Sequence, residues 1–429
     1  MSIGVKLPRS VSTWIDPFIL CATIVVSYWG FSRLPVSNIT LSVYIVAAAT
    51  VVMGLIELAR GPLRLQGSAY SFRQIIPHSA VTWLGTCVGL GVVGVAWSTL
   101  TIYRDSYYAS FFATVPLIII GTLLVSPFFI LAAEKTLGPS PRGGYQLGLL
   151  ILGRTREINW HLLRDNIIVW LIRGFFLPLN FCELVRTIDV FRGPGLSLFS
   201  GPWMANEYYI LLSIYGLILA AVTPGYIFGS RLLRTETTEV SHSWFGWTVT
   251  LVCYAPLETA VFKGWFNYNP VAARPVWFEP WVSQLHYFPT ILQTVGGMII
   301  LFSLVHLWGE AQFGLRSSNL SNRGIITTGA YRFCKHPVYA SKCLVWFLIW
   351  MPFLSGTNIL DGLRLTVLWG CICGIYFLRA LAEEKLLSSD PAYVSYALWM
   401  DEHGTFKDLG VIFPPLRFSW RLAYWQKIK

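Results

Sequence analysis

The stretch "TTGAYRFCKHPVYAS", residues 327–341, decides how this chain is read. It is polar and turn-rich, holds Gly329, Tyr331, Arg332, Lys335, His336, Pro337 and Tyr339, and sits between two strongly apolar runs. Proline is tolerated at the first position of a helix and biases the residue before it away from helical geometry. The pattern therefore predicts a helix that begins at Pro337, with His336 as its N-cap. The first-turn amides of such a helix point into the preceding loop, where they attract a carboxylate or phosphate.

Working outward, the composition sets the class. The chain has 429 residues, 55% hydrophobic and only 12% charged, with a mean hydropathy of +0.57. That leaves too little polar surface to cover a globule. The apolar residues gather into runs of about 20, the length that crosses a hydrocarbon core of roughly 30 Å. The expectation is an all-α, polytopic integral membrane protein of about ten spans: 13–31, 39–58, 80–103, 109–133, 165–182, 205–229, 243–262, 286–308, 338–354 and 361–382. Arg173 makes the fifth span the weakest, and the short run 145–153 suits a re-entrant or interfacial piece. The first run lacks a small-residue cleavage site and reads as a retained span.

Charge orients the map. With the N-terminus inside, the inner loops carry twice as many Lys and Arg as the outer ones, which favours cytoplasmic placement of both termini, in a bacterial inner membrane or the endoplasmic reticulum. Stretch 327–341 then faces the cytosol. The net charge of +11 is spread through loops, where headgroups and topology account for it without a nucleic-acid partner. Two outer loops, "FRGPGLSLFSGPWMANEYY" and "KGWFNYNPVAARPVWFEPWVSQ", have the aromatics and prolines of an interfacial belt. The tail "RFSWRLAYWQKIK" is basic and aromatic, as a segment resting on an anionic leaflet would be. The eight cysteines include no CxxC pair and read as packing residues. His161, His242, His286 and His306 show no metal-like spacing, so no metal site is expected.

A second element completes the chemistry: "YFLRALAEEKLLSSDPAYVSYALW", residues 376–399. Tyr376, Arg379 and Glu383 share one helical face, and Glu384 lies about a hundred degrees round the helix. Ionisable groups at the end of a membrane helix are costly and face a cavity or a partner. His306 and Glu310, four residues apart near the inner end of the eighth span, read as a helix-end ion pair.

The ordered set Thr328, Gly329, Tyr331, His336, Pro337 and Tyr339, then Arg379, Glu383, Glu384, Tyr393 and Tyr396, resembles the isoprenylcysteine carboxyl methyltransferase and phospholipid methyltransferase superfamily. The resemblance covers residues 286–410. Lys335 stands where that family usually has arginine, and "SSDPAY" replaces its usual Phe-Gly-Glu-x-Tyr. It divides the chain into an N-terminal bundle (1–285) of unassigned role, a methyltransferase-like membrane domain (286–410) with a cytosol-facing catalytic hairpin, and the interfacial tail (411–429).

The resemblance implies an S-adenosylmethionine-dependent methyltransferase acting on a lipid or prenylated acceptor. Tyr331, His336, Pro337, Tyr339, Glu383, Glu384, Tyr393 and Tyr396 are the expected cofactor-binding residues. Arg379 and Glu383 are the expected catalytic ones. Aromatic faces suit a sulfonium, glutamates suit an ammonium or ribose hydroxyls, and helix-start amides suit a carboxylate. An anionic acceptor, clamped by Arg379, needs no base; an amine acceptor would need one of the glutamates. Two other readings stand beside it. A sterol-reductase-like enzyme using NADPH would carry Arg-His-x-Asn-Tyr where this chain has Lys335-His336-Pro337-Val338-Tyr339. A non-enzymatic lipid-binding or transport protein would make use of the extra spans and of Glu258 within "CYAPLETAVF".

Overall fold

A computed structural model describes residues 6–61, 70–193, 203–227, 229–265, 288–354 and 358–428. Helices dominate them. In chain order they are α1 (Asp16–Phe31), α2 (Asn38–Arg60), α3 (Phe72–Thr99), α4 (Val115–Leu137), α5 (Tyr145–Ile151), α6 (Trp160–Arg192), α7 (Trp203–Ile227), α8 (Trp244–Leu251), α9 (Pro289–Ala311), α10 (Pro337–Trp350), α11 (Ile359–Leu387), α12 (Pro391–His403), α13 (Lys407–Ile412) and α14 (Phe418–Ile428). The helix starts follow local chemistry. Ser37, Asn159, Ser243, Asn358 and Asp390 each accept a hydrogen bond from a first-turn amide, which satisfies donors that the helix itself leaves open.

Among the described residues, seven helices are long and apolar enough to cross a membrane: α2, α3, Ser106–Leu137 (which includes α4), α6, the Glu207–Ile227 part of α7, α9 and α11. Their outward faces carry exposed apolar side chains such as Val92, Val95, Leu124 and Phe128, as lipid contact requires. Helices α1 and α10 are apolar but only 16 and 14 residues long. Arg173 does not interrupt its helix: α6 runs unbroken for 33 residues around it. The run expected as a span at 243–262 is divided. Helix α8 ends at Leu251, Pro256 follows, and a π-helical turn occupies Thr259–Trp265. Proline lacks the amide that a continuous helix would need there.

Run 145–153 forms α5, which rests on α3. The approach is too close for side chains: a Cβ on Gly85 would lie 1.8 Å from the Gly144 carbonyl oxygen. The two aromatic outer loops fall largely outside the described residues. All eight cysteines are free.

One apolar core joins the first helices to the last third of the chain. Leu20, Ile45, Met53, Ile218, Leu307 and Leu315 all lie in it. A buried ion pair pins the same junction, with Arg316 holding Glu57 of α2 through two hydrogen bonds, and Arg60 of α2 holds Asp16 of α1 likewise. A two-stranded ladder, β1 (Glu239–Val240) antiparallel to β2 (Ser321–Asn322), ties the bundle to the loop before the motif. The N-terminal segment adds a strap: Val11 N–H donates to the Ile325 carbonyl (3.1 Å), Thr327 Oγ1 to the Pro8 carbonyl (2.9 Å), and Thr328 Oγ1 to the Ser12 carbonyl (3.0 Å).

Candidate functional site

Helix α10 begins at Pro337 with His336 as N-cap, as the sequence predicts. The His336 side chain does not cap the helix. Its Nε2 instead lies 3.1 Å from Glu384 Oε1 on α11, and its ring stacks on Tyr339 at a 7° interplanar angle. Loop and helix thus meet across 48 residues of chain.

The two neighbouring glutamates part company here. Glu384 is buried and committed to three basic side chains: Lys335 Nζ at 3.1 Å, His336 and Arg421. Lys335 also approaches Asp401 at 3.7 Å, and Asp401 accepts the amides of Phe418 and Ser419 at the start of α14. Lys335 therefore ties the motif, α11 and the C-terminal helix together. Within the tail expected to lie on the leaflet, Phe418 is fully buried beside Tyr393 and Tyr396, while Trp420 and Tyr424 stay exposed. Glu384 has little capacity left for a ligand.

Glu383 points the other way, towards a cavity of ≈ 710 Å³. The Tyr339 hydroxyl donates to it, Arg379 Nε lies 3.5 Å away, and His336 Nδ1 lies 3.9 Å away. The Arg379 guanidinium sits 4.9 Å from the Tyr339 ring centroid and 5.3 Å from that of Tyr254, at cation–π range. Arg379 is buried, and its Nη2 donates to Asn319 Oδ1 at 2.6 Å. Asn319 in turn donates to the hydroxyls of Tyr226 (2.8 Å) and Tyr254 (3.1 Å).

Above this group lies an aromatic cap. Tyr396 donates to the Tyr331 carbonyl at 2.6 Å, and Tyr393 packs edge-on against Tyr396 and Phe418. Burial pushes the phenols of Tyr331, Tyr393 and Tyr396 well above their ordinary range, with nearby carboxylates adding to the rise. Tyr393 is buried with its hydroxyl unpaired among the described residues, so it has a donor to offer the cavity. Gly329 shapes the loop: it adopts φ +61°, and a Cβ there would sit 2.3 Å from Gln312 Oε1.

Of the residues expected to form the site, Tyr331, His336, Tyr339, Arg379, Glu383, Tyr393 and Tyr396 all line the large cavity, while Pro337 and Glu384 do not. A second cavity of ≈ 340 Å³ lies on the other side of the His336–Tyr339 wall, and Glu384 borders that one. The sequence reading missed Asn319, Tyr226 and Tyr254, which no spacing announces. It also missed Lys342, which a lone lysine in an apolar run should have signalled. Lys342 lines the large cavity with its ammonium 5.0 Å from the Trp346 ring and 5.3 Å from the Tyr376 ring.

The large cavity does not stop at the motif. Asn180 and Glu183 of α6, Tyr215 and Ile218 of α7, Glu258, and His306 and Glu310 of α9 continue its walls. His306 and Glu310 lie 3.8 Å apart. No family model, curated protein or solved structure matches this chain.

Proposed function

We propose that this protein is an integral membrane S-adenosylmethionine-dependent methyltransferase that methylates a carboxylate or phosphate oxygen of a lipid-tailed acceptor at the cytosolic face. The observation that carries the reading is the convergence of Tyr331, His336, Tyr339, Arg379 and Glu383 at one end of a cavity that runs on between helices of the N-terminal bundle. On this reading α1, α10 and the α8 region complete about ten spans with both termini in the cytosol, and α10 and α11 form the catalytic hairpin.

The residues suit the cofactor chemically. Rings of Tyr331 and Tyr339 offer faces to a cation, Glu383 offers a partly exposed carboxylate to an ammonium or to ribose hydroxyls, and Tyr393 offers a free hydroxyl. The bound cofactor supplies an electrophilic methyl group on a sulfonium. Transfer to an anionic oxygen would form an O–C bond as the S–C bond breaks, leaving a neutral thioether and an acceptor with one negative charge fewer. No proton has to be removed, so the chain's task is alignment, which supplies roughly 7–11 kcal/mol in well-oriented systems. Arg379, fixed by Asn319, and Lys342 are cavity-lining cations that would face the acceptor; the bundle helices receive its tail. Residues 1–285 thereby acquire a role as the acceptor half of the site.

The test is calorimetric binding of S-adenosylmethionine to the full chain in detergent and in lipid nanodiscs, beside Glu383→Gln. Glu384 is a poor target because its loss disturbs folding. Micromolar binding that weakens at least tenfold in the variant, with labelled methyl transferred to extracted acidic lipids, is the expected result. Absence of binding in both media overturns the proposal and leaves the cavity as a lipid-binding site.

A further inference from the structure

We propose that His161, Asp165 and His242 form a binding site for one divalent transition ion of the zinc class, separate from the methyl-transfer cavity. The three side chains come from two elements. His161 and Asp165 are four residues apart in the first turns of α6, so they share a face. His242 lies between β1 and α8. Their ligating atoms all lie within 4.8 Å of one another. The individual separations are 3.4 Å between His161 Nδ1 and Asp165 Oδ2, and 2.8 Å between His242 Nε2 and Asp165 Oδ1. Tetrahedral zinc with nitrogen and oxygen ligands at about 2.0–2.2 Å sets ligand pairs roughly 3.4 Å apart, so only small side-chain adjustment is needed.

A second observation separates this cluster from an ordinary ion pair. Asp165 Oδ1 is enclosed and has no hydrogen-bond partner, although His242 Nε2 sits 2.8 Å away. The ring nitrogen is therefore not aligned for a hydrogen bond to that oxygen, and an ion held between the two would give the enclosed carboxylate oxygen a partner. The donor set then selects the ion. Two imidazoles and one carboxylate suit zinc, cobalt, nickel or copper, whereas magnesium and calcium take oxygen. With three protein ligands and an exposed His161, the fourth position opens to water, the arrangement that zinc sites with an exchangeable ligand share.

The backbone on both sides is held before any ion arrives. Asn159 caps α6 by accepting the amides of His161 and Leu162. Next to His242, Ser241 N–H donates to the Leu320 carbonyl (2.8 Å), Trp247 Nε1 donates to the Ser241 carbonyl (2.9 Å), and Ser243 caps α8. A helix start is electropositive and disfavours a cation, but the Asp165 carboxylate offsets that charge at the site itself. None of the three residues borders the large cavity. The ion would join the start of α6 to the segment that leads into α8.

The experiment uses the full chain without a histidine tag, stripped with a chelator in detergent, and titrated with zinc by calorimetry and with cobalt by visible absorption. Expected are one ion per chain at micromolar affinity or tighter, intense tetrahedral cobalt bands, and no competition from magnesium. His161→Ala and His242→Ala should each weaken binding at least about tenfold. His161 is exposed, so His161→Ala tests the site even where His242→Ala disturbs folding. Absence of one-to-one binding, or affinity unchanged in His161→Ala, overturns the proposal. Neither result depends on methyl transfer.

Discussion

Arg379 is held by Asn319: Nη2 of the arginine donates to the amide oxygen at 2.6 Å, and the same amide's nitrogen donates to Tyr226 and Tyr254. A residue of the loop after α9 thus restrains the guanidinium of α11, whose Nε lies 3.5 Å from Glu383. Truncation to Asn319→Ala removes that restraint. A displacement of about 1 Å at a reacting centre costs on the order of a hundredfold in rate. The expected outcome is a loss of that size in labelled-methyl transfer, with S-adenosylmethionine affinity within a few-fold of wild type by calorimetry.

Glu383 and Glu384 should separate experimentally into binding and folding. Glu383→Gln is expected to weaken cofactor binding while leaving the melting temperature close to that of wild type. Glu384→Gln strands Lys335 and Arg421 next to a neutral amide in a buried setting. Breaking a buried pair in this way costs about 3–5 kcal/mol. A thermal scan of tryptophan fluorescence in detergent should show a clear drop for Glu384→Gln, and an unchanged melting temperature would contradict the role assigned to it.

Gly329→Ala should act through both backbone and contact. A left-handed conformation costs an L-residue roughly 1–2 kcal/mol. The new methyl also displaces Gln312, whose amide donates to Ser12 Oγ (3.0 Å) and to the Thr13 carbonyl (2.6 Å). Limited proteolysis near residues 6–13 should accelerate relative to wild type.

The cap should fail in alkali. Tyr331, Tyr393 and Tyr396 have phenols raised above their ordinary value by burial. The stability linked to them is fully present below the unfolded value of about 10 and is lost as pH climbs above it towards the folded values. Tyrosinate absorbance should therefore lag behind that of a denatured control, then rise together with loss of near-ultraviolet circular dichroism. Replacing Tyr393 by Phe removes one ionisable phenol and should shift that transition upward.

Much of the architecture was legible because lipid imposes it. Long apolar runs such as those of α2, α4 and α9 have few other solutions than helices. The start of α10 was legible from Pro337 alone. The split of 243–262 was not, since hydropathy averages over Pro256 and Glu258. The motif residues pointed to a meeting of 327–341 with 376–396, but not to the division of labour between adjacent glutamates. That depends on Arg421, more than thirty positions away, taking Glu384. Asn319, Tyr226 and Tyr254 left no trace because their roles arise from three segments packing together. The same holds for His161 and His242, which are distant in sequence and close only in the folded chain.

The strap formed by residues 8–12 sets an order of events during synthesis. Its hydrogen-bond partners at 325–328 emerge only after more than three hundred further residues have been made. The first segment of the chain must wait, unpaired, while the bundle inserts behind it, and it closes onto the motif loop late. A fragment that contains every motif residue but begins at 286 would lack this closure. So would a full chain whose first residues are pulled away by a bulky N-terminal fusion.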